Sequence, residues 1–190
     1  MRFKTVMLGL LFAAGAAHAQ APAPAGEGLL GPMANDLRNR VGRWCVEAHL
    51  QLTPEARPVT ILASAENRLI GGRWLVSEMR GPGFEGVGVN GYDPGMRRYT
   101  GYWADGSRGF TVPVDGEYDS AARIFRTHSV ERRANGESVV IHSETRRDGP
   151  DGEITTFTAP DAQGRPYQRM VMRYRRAAAD TNCQAASEPM

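Results

Sequence analysis

The chain has 190 residues, 23 basic and 21 acidic, for a formal charge of +2. Arg2 and Lys4 account for that excess, so the chain beyond them is formally neutral, and a mixed-sign surface excludes the basic stripe that nucleic acid requires. Its length suits one domain and is short for two.

The first segment reads as an export signal. Arg2 and Lys4 precede an apolar run from Val6 to Ala17, and Ala17-His18-Ala19 supplies small residues at a cleavage site. The run is shorter than the roughly 20 apolar residues a membrane span needs. Residues 1–19 are therefore expected to be a cleaved signal peptide, which places the mature protein in the periplasm or outside the cell. Residues 20–28, with Ala21-Pro22-Ala23-Pro24-Ala25-Gly26, read as a polyproline-like leader. No later segment is apolar enough to span a membrane.

Leu29 to Arg40 is the one helical stretch. Leu30, Met33, Leu37 and Val41 recur at helical spacing, Pro32 suits the first turn, and Gly42 ends it. Strand signals follow in quick succession. Trp44, Val46, Ala48, Leu50 and Leu52 alternate with Cys45, Glu47, His49 and Gln51, which gives one buried and one wet face. Further strands are expected at 59–69, 73–80, 85–91, 98–103, 110–118, 124–130, 138–145, 154–158 and 166–176. Turn chemistry separates them: Gly71-Gly72, Gly81-Pro82-Gly83, Asp93-Pro94-Gly95 and Asn135-Gly136. The domain thus spans 29–176, and 177–190 is a small, polar tail.

About ten short strands and one helix predict an all-β fold. A sandwich would give a similar count, and the matched ends favour closure into a single antiparallel barrel with a short capping helix. Gly42-Arg43-Trp44 opens the first strand and Arg173-Tyr174-Arg175 closes the last. If those strands pair, Arg173 or Arg175 can lie across the Trp44 indole and seal one end by a cation–π contact. The same pairing brings Cys45, at the start of the first strand, towards Cys183, just beyond the last. A disulfide is expected, which an exported protein can hold, and two separate thiols are the alternative. Closing so long a loop would stabilise by roughly 3–5 kcal/mol and pin the tail across the seam.

Gly42-x-Trp44, Ile70-Gly71-Gly72-Arg73-Trp74-Leu75, Gly91-Tyr92-Asp93-Pro94, Trp103 and Met172-x-Tyr174-Arg175 occur in order along the chain. Together they resemble the bacterial family catalogued as domain of unknown function fifteen-seventy-nine, over roughly Leu37 to Arg176. That family resembles the lipocalin and fatty-acid-binding-protein (calycin) superfamily in fold. The resemblance implies an antiparallel barrel with an internal cavity and, by analogy, a small apolar ligand. This chain departs from the family between Tyr118 and Val139, where it looks short and arginine-rich.

No catalytic signature emerges. A Gly-x-Ser-x-Gly elbow is lacking, neither cysteine has a nucleophile's setting, and Gly71-Gly72-Arg73-Trp74 lacks the lysine and helix of a phosphate loop. Gly83-Phe84-Glu85-Gly86-Val87-Gly88 has no following helix and is not a dinucleotide fingerprint. His142 with Glu144, and His128, hint at a metal or haem ligand but supply fewer groups than a site needs, so no metal or cofactor is expected. The expectation is a non-enzymatic barrel that binds a small apolar or amphipathic molecule, with Trp74, Val76, Glu78, Tyr92, Trp103 and His142 as pocket wall. An inward Glu78 would need a partner. The alternative is a structural or protein-interaction module whose interior is filled by side chains.

Overall fold

A computed structural model describes residues 28, 30–132 and 136–184. The signal-peptide reading, the leader up to residue 27 and Asn135 of the expected hairpin turn lie outside these residues. A single-turn 3-10 segment, Gly31–Met33, runs into the helix α1, Ala34–Asn39. The strands are β1 Gly42–Leu50, β2 Val59–Ile70, β3 Trp74–Gly81, β4 Phe84–Asp93 and β5 Arg98–Asp105. They continue as β6 Phe110–Asp119, β7 Ile124–Arg132, β8 Ser138–Arg147, β9 Gly152–Pro160 and β10 Pro166–Arg176. Consecutive strands pair antiparallel, and β1 pairs with both β2 and β10, so the sheet closes. Closure removes the free edges that an open sheet would expose.

The expected strands all form, including β7 in the arginine-rich stretch. Its Arg126 points outward and bonds Glu144 and Asp119 at 3.0 and 3.3 Å. The Asp119 carboxyl is held below the usual range, chiefly by the Ala122 backbone N–H and then by Arg126, which pins the β6–β7 turn.

The barrel has a closed and an open end. At the closed end Leu30, Met33 and Leu37 of the helical segment pack on Leu75, Tyr92, Tyr99 and Phe125. The Tyr99 hydroxyl donates to the Leu30 carbonyl at 2.8 Å and accepts from the Met33 N–H at 2.7 Å. Asp36, itself buried, accepts from the Tyr118 hydroxyl and from Arg123, each at 2.5 Å. A helix this short has little stability of its own, so these contacts hold it in place. Cys45 and Cys183 are bonded across 138 residues of sequence. Beyond β10 the tail follows β1: the Ala177 N–H donates to the Arg43 carbonyl at 2.9 Å.

The expected closure holds with one correction. The first and last strands zip together and Trp44 is 1% exposed, but the arginine beside it is Arg176. The register sets Trp44 opposite Arg176, Cys45 opposite Arg175 and Glu47 opposite Arg173. Arg173 and Arg175 therefore lie on the outer face, where Arg175 pairs with Asp148 at 2.7 Å.

Candidate ligand cavity

Alternation along each strand decides what the barrel encloses. Inside is a cavity of about 690 Å3, within the range of small-molecule sites. It opens between the β1–β2, β3–β4 and β5–β6 turns, where Leu52, Pro82, Gly83, Ser107 and Arg108 line its rim.

The floor is a layered polar structure. The Arg176 guanidinium lies 4.4 Å from the Trp44 ring centroid and that of Arg147 lies 5.8 Å away. Arg176 is held by Asp151 at 3.0 Å, the Val41 carbonyl at 3.0 Å and the Asn39 carbonyl. Gly42 adopts φ +110°, a left-handed value that glycine takes without strain, and its missing side chain leaves room for Arg176. Trp44 Nε1 and Asn67 Nδ2 both donate to the Arg40 carbonyl, at 2.8 and 2.9 Å. The Arg40 side chain bonds Glu153 at 2.7 Å, with 14% and 9% of the two side chains exposed. Each of these two charges is buried only because the other is beside it. Burial, and then the negative charge of Glu153, push the Tyr174 phenol well above its ordinary 10.0, and Arg40 offsets part of this.

Above the floor the walls differ. Val46, Ala48, Ala63, Ala65, Met79 and Met172 form one buried apolar cluster that includes Trp44. Trp103 packs against it and stacks on Phe84 at 5.9 Å with 13° between the rings. On β7, β8 and β9, hydroxyls face the cavity. Thr127 bonds Ser143 at 2.6 Å and Thr145 bonds Thr155 at 2.9 Å. Near the rim Arg169 pairs with Glu131, both half-buried.

Of the six residues expected in the wall, Trp103 lines the cavity. Tyr92 points inward but lies at the closed end, tilted against Tyr99 at 5.1 Å and covered by the helical segment. Trp74, Val76 and Glu78 are corrections: β3 turns Leu75, Ser77 and Met79 inward and these three outward. Trp74 lies against Gly91, where any side chain would collide with its ring at 2.3 Å. Glu78 needs no buried partner, because it lies between Arg68 and Arg80 at 3.6 and 3.4 Å on the outer wall. His142 is also exposed on the outer wall, directly opposite His128, while Ile141 and Ser143 face in. Among the described residues no three His, Cys, Asp or Glu side chains converge as a metal would require.

Sequence reasoning passed over the small-residue wall and the hydroxyls. One signal for the wall was present: Ala63 and Ala65 alternate with Leu62, Ser64 and Glu66 in register with Val46 and Trp44.

The sequence model of one family, described as "Protein of unknown function (DUF1579)", matches residues 31–176. No curated protein matches the sequence. Among solved structures, the crystal structure of Rv2717c from M. tuberculosis is similar, with a TM-score of 0.57 at 17% identity. The match covers 78% of this chain and 99% of that one, and it is a likeness of fold.

Proposed function

This chain belongs to the DUF1579 family, and we propose that it is a binding barrel that carries one small apolar or amphipathic molecule in its interior, without chemistry of its own. The observation that carries this reading is the open cavity of about 690 Å3 over a sealed floor. A barrel serving only as a scaffold or interaction module would gain dispersion contacts by filling that space. Among the described residues no histidine lines the cavity, and the pairs Thr127–Ser143 and Thr145–Thr155 bond each other rather than a base, which supports binding over acyl or proton transfer.

We place the mature protein outside the cytoplasm. The bonded pair Cys45–Cys183 fits an oxidising compartment, and the reading of residues 1–19 as a signal peptide agrees with it. No described helix is long and apolar enough to cross a membrane. The outer wall carries charge ladders such as Arg68–Glu78–Arg80 and Arg126–Glu144–Arg146, which a lipid-facing barrel would not tolerate.

Titration with 11-dansylaminoundecanoic acid tests the reading, with energy transfer from tryptophan as the signal. Saturation at one probe per chain is expected. Ala48→Phe, which projects a ring into the cavity, should weaken binding by at least about tenfold. Equal uptake by Ala48→Phe, or absence of uptake both of this probe and of rigid amphiphiles such as cholate, would contradict it.

A further inference from the structure

The polar groups of the cavity are not gathered at one point. Most of the cavity's hydroxyls run as a line along one wall, apart from Ser77 on β3, Tyr102 on β5, Ser107 at the rim and Tyr174 at the floor. Glu153 and Thr155 are successive inward positions of β9, Thr145 and Ser143 of β8, and Thr127, Ser129 and Glu131 of β7. Register joins them into one diagonal: Thr155 stands opposite Thr145, and Ser143 opposite Thr127. The line starts at the floor, where Glu153 holds Arg40, and ends near the rim, where Glu131 holds Arg169.

The facing wall is mostly apolar. In the closed ring of ten, β2 stands five strands from β7, and β3 five from β8. Ile61, Ala63 and Ala65 of β2, with Leu75 and Met79 of β3, turn apolar surface to the cavity, interrupted by Ser77 on β3 and by Asn67 of β2 towards the floor. The alanines also make that side shallow, so a broad, flat body can approach it.

We propose, building on the reading that this cavity binds a small molecule, that its ligand is a rigid, facially amphipathic molecule. One face is apolar and lies on β1–β3, and the other carries several hydrogen-bonding groups spaced along its length that meet the β7–β9 hydroxyls. Each hydroxyl pair uses one proton internally. The second proton and the remaining lone pairs stay free, so the line can both donate and accept. A linear chain with a single polar head would cover the hydroxyls with hydrocarbon and leave that capacity unused, which disfavours it. A flat molecule with a polar edge satisfies both walls in one orientation. Mixed donors and acceptors over several positions favour hydroxyl or keto groups over a single charged head.

Three probes separate the possibilities below their micelle-forming concentrations: cholate, with hydroxyls along one face; lithocholate, with the same skeleton and carboxylate but a single hydroxyl; and 1-dodecanol. Calorimetry should show cholate binding at least about tenfold more tightly than lithocholate. In the double variant Thr127→Val with Ser143→Ala, both partners of one pair are replaced together, so no buried group is orphaned and the barrel should fold. That variant should erase the cholate preference while retaining lithocholate. If lithocholate or dodecanol binds the unaltered protein as well as cholate does, facial recognition is wrong and the binding barrel stands. If cholate is preferred equally by the double variant, the hydroxyl line is not what reads it and the inference falls. If none of the three enters, the inference falls, and failure of the dansyl probe as well would remove the binding reading itself.

Discussion

At its closed end the barrel stacks a helical segment, an indole, two guanidiniums and the buried Arg40–Glu153 pair, whereas its open end presents turns, the rim cluster Asp105–Arg108 and the half-buried pair Arg169–Glu131. Both ends use arginine and carboxylate. At the floor both partners of one pair, Arg40 and Glu153, are withdrawn from water, and Arg176 beside them is tied to the Val41 and Asn39 carbonyls, so each contact depends on its neighbours. At the rim at least one partner of each pair stays in water: Arg108 is exposed beside the buried Asp105, and Arg169 and Glu131 are both half-buried, so the Arg169–Glu131 pair is worth little by itself. The floor therefore carries stability and the rim is free to admit a ligand.

The largest expected effect tests whether the closed end holds the seam. Replacing Cys45 and Cys183 together by serine should lower stability by about 4–5 kcal/mol, since the bond closes a loop across 138 residues. Denaturant unfolding checks this, and a loss below about 1 kcal/mol would mean that the tail is not a fastener. Trp44→Ala should cost about 4 kcal/mol, because it removes a fully buried indole and the surface on which Arg176 lies. Gln at position 153 and at position 131 compares the ends directly. Glu153→Gln should cost about 3 kcal/mol, as it strands the buried Arg40 charge, and Glu131→Gln less than about 1 kcal/mol. Equal losses would erase the distinction between floor and rim.

Much of this was legible in the residues. The turn signals Gly71-Gly72, Gly81-Pro82-Gly83 and Asp93-Pro94-Gly95 place strand ends to within a residue or two, because proline and glycine fix local backbone without tertiary help. Closure led to the expectation of a Cys45–Cys183 bond, with two separate thiols as the alternative, and the bond is formed. Parity was harder to read. On β3 every candidate face mixes sizes, and Trp74 turns outward because Gly91 of the next strand leaves a shelf for its ring. That shelf belongs to a partner strand and has no mark in β3 itself. On β10 the mark existed. Met170, Met172 and Tyr174 alternate as the apolar set, and continuing that alternation leads to Arg176 rather than to Arg173 or Arg175. The hydroxyl line was invisible because it is assembled from three strands, each contributing residues that look like ordinary surface threonine and serine.

The smallest expected effect concerns alkaline pH. The Tyr174 phenol is raised above 10.0 in the folded state by burial and by Glu153. A raised acid stabilises fully below its unfolded value, and that contribution is lost as pH climbs from about 10 towards the folded value. Stability should fall over this alkaline range, and Tyr174→Phe should flatten the slope in denaturant curves taken on either side of pH 10. An unchanged slope would show that the phenol near the floor does not feel its surroundings.

The barrel encloses a cavity of about 690 Å3 over a sealed floor, and occupancy of that space decides between a binding barrel and a scaffold. Mass spectrometry under non-denaturing conditions, on protein purified from its native host, addresses it most directly. A stoichiometric small-molecule adduct is expected, absent from Ala48→Phe purified in the same way. A bare polypeptide mass for the unaltered protein, with no uptake of cholate or the dansyl probe on addition, would contradict the binding reading.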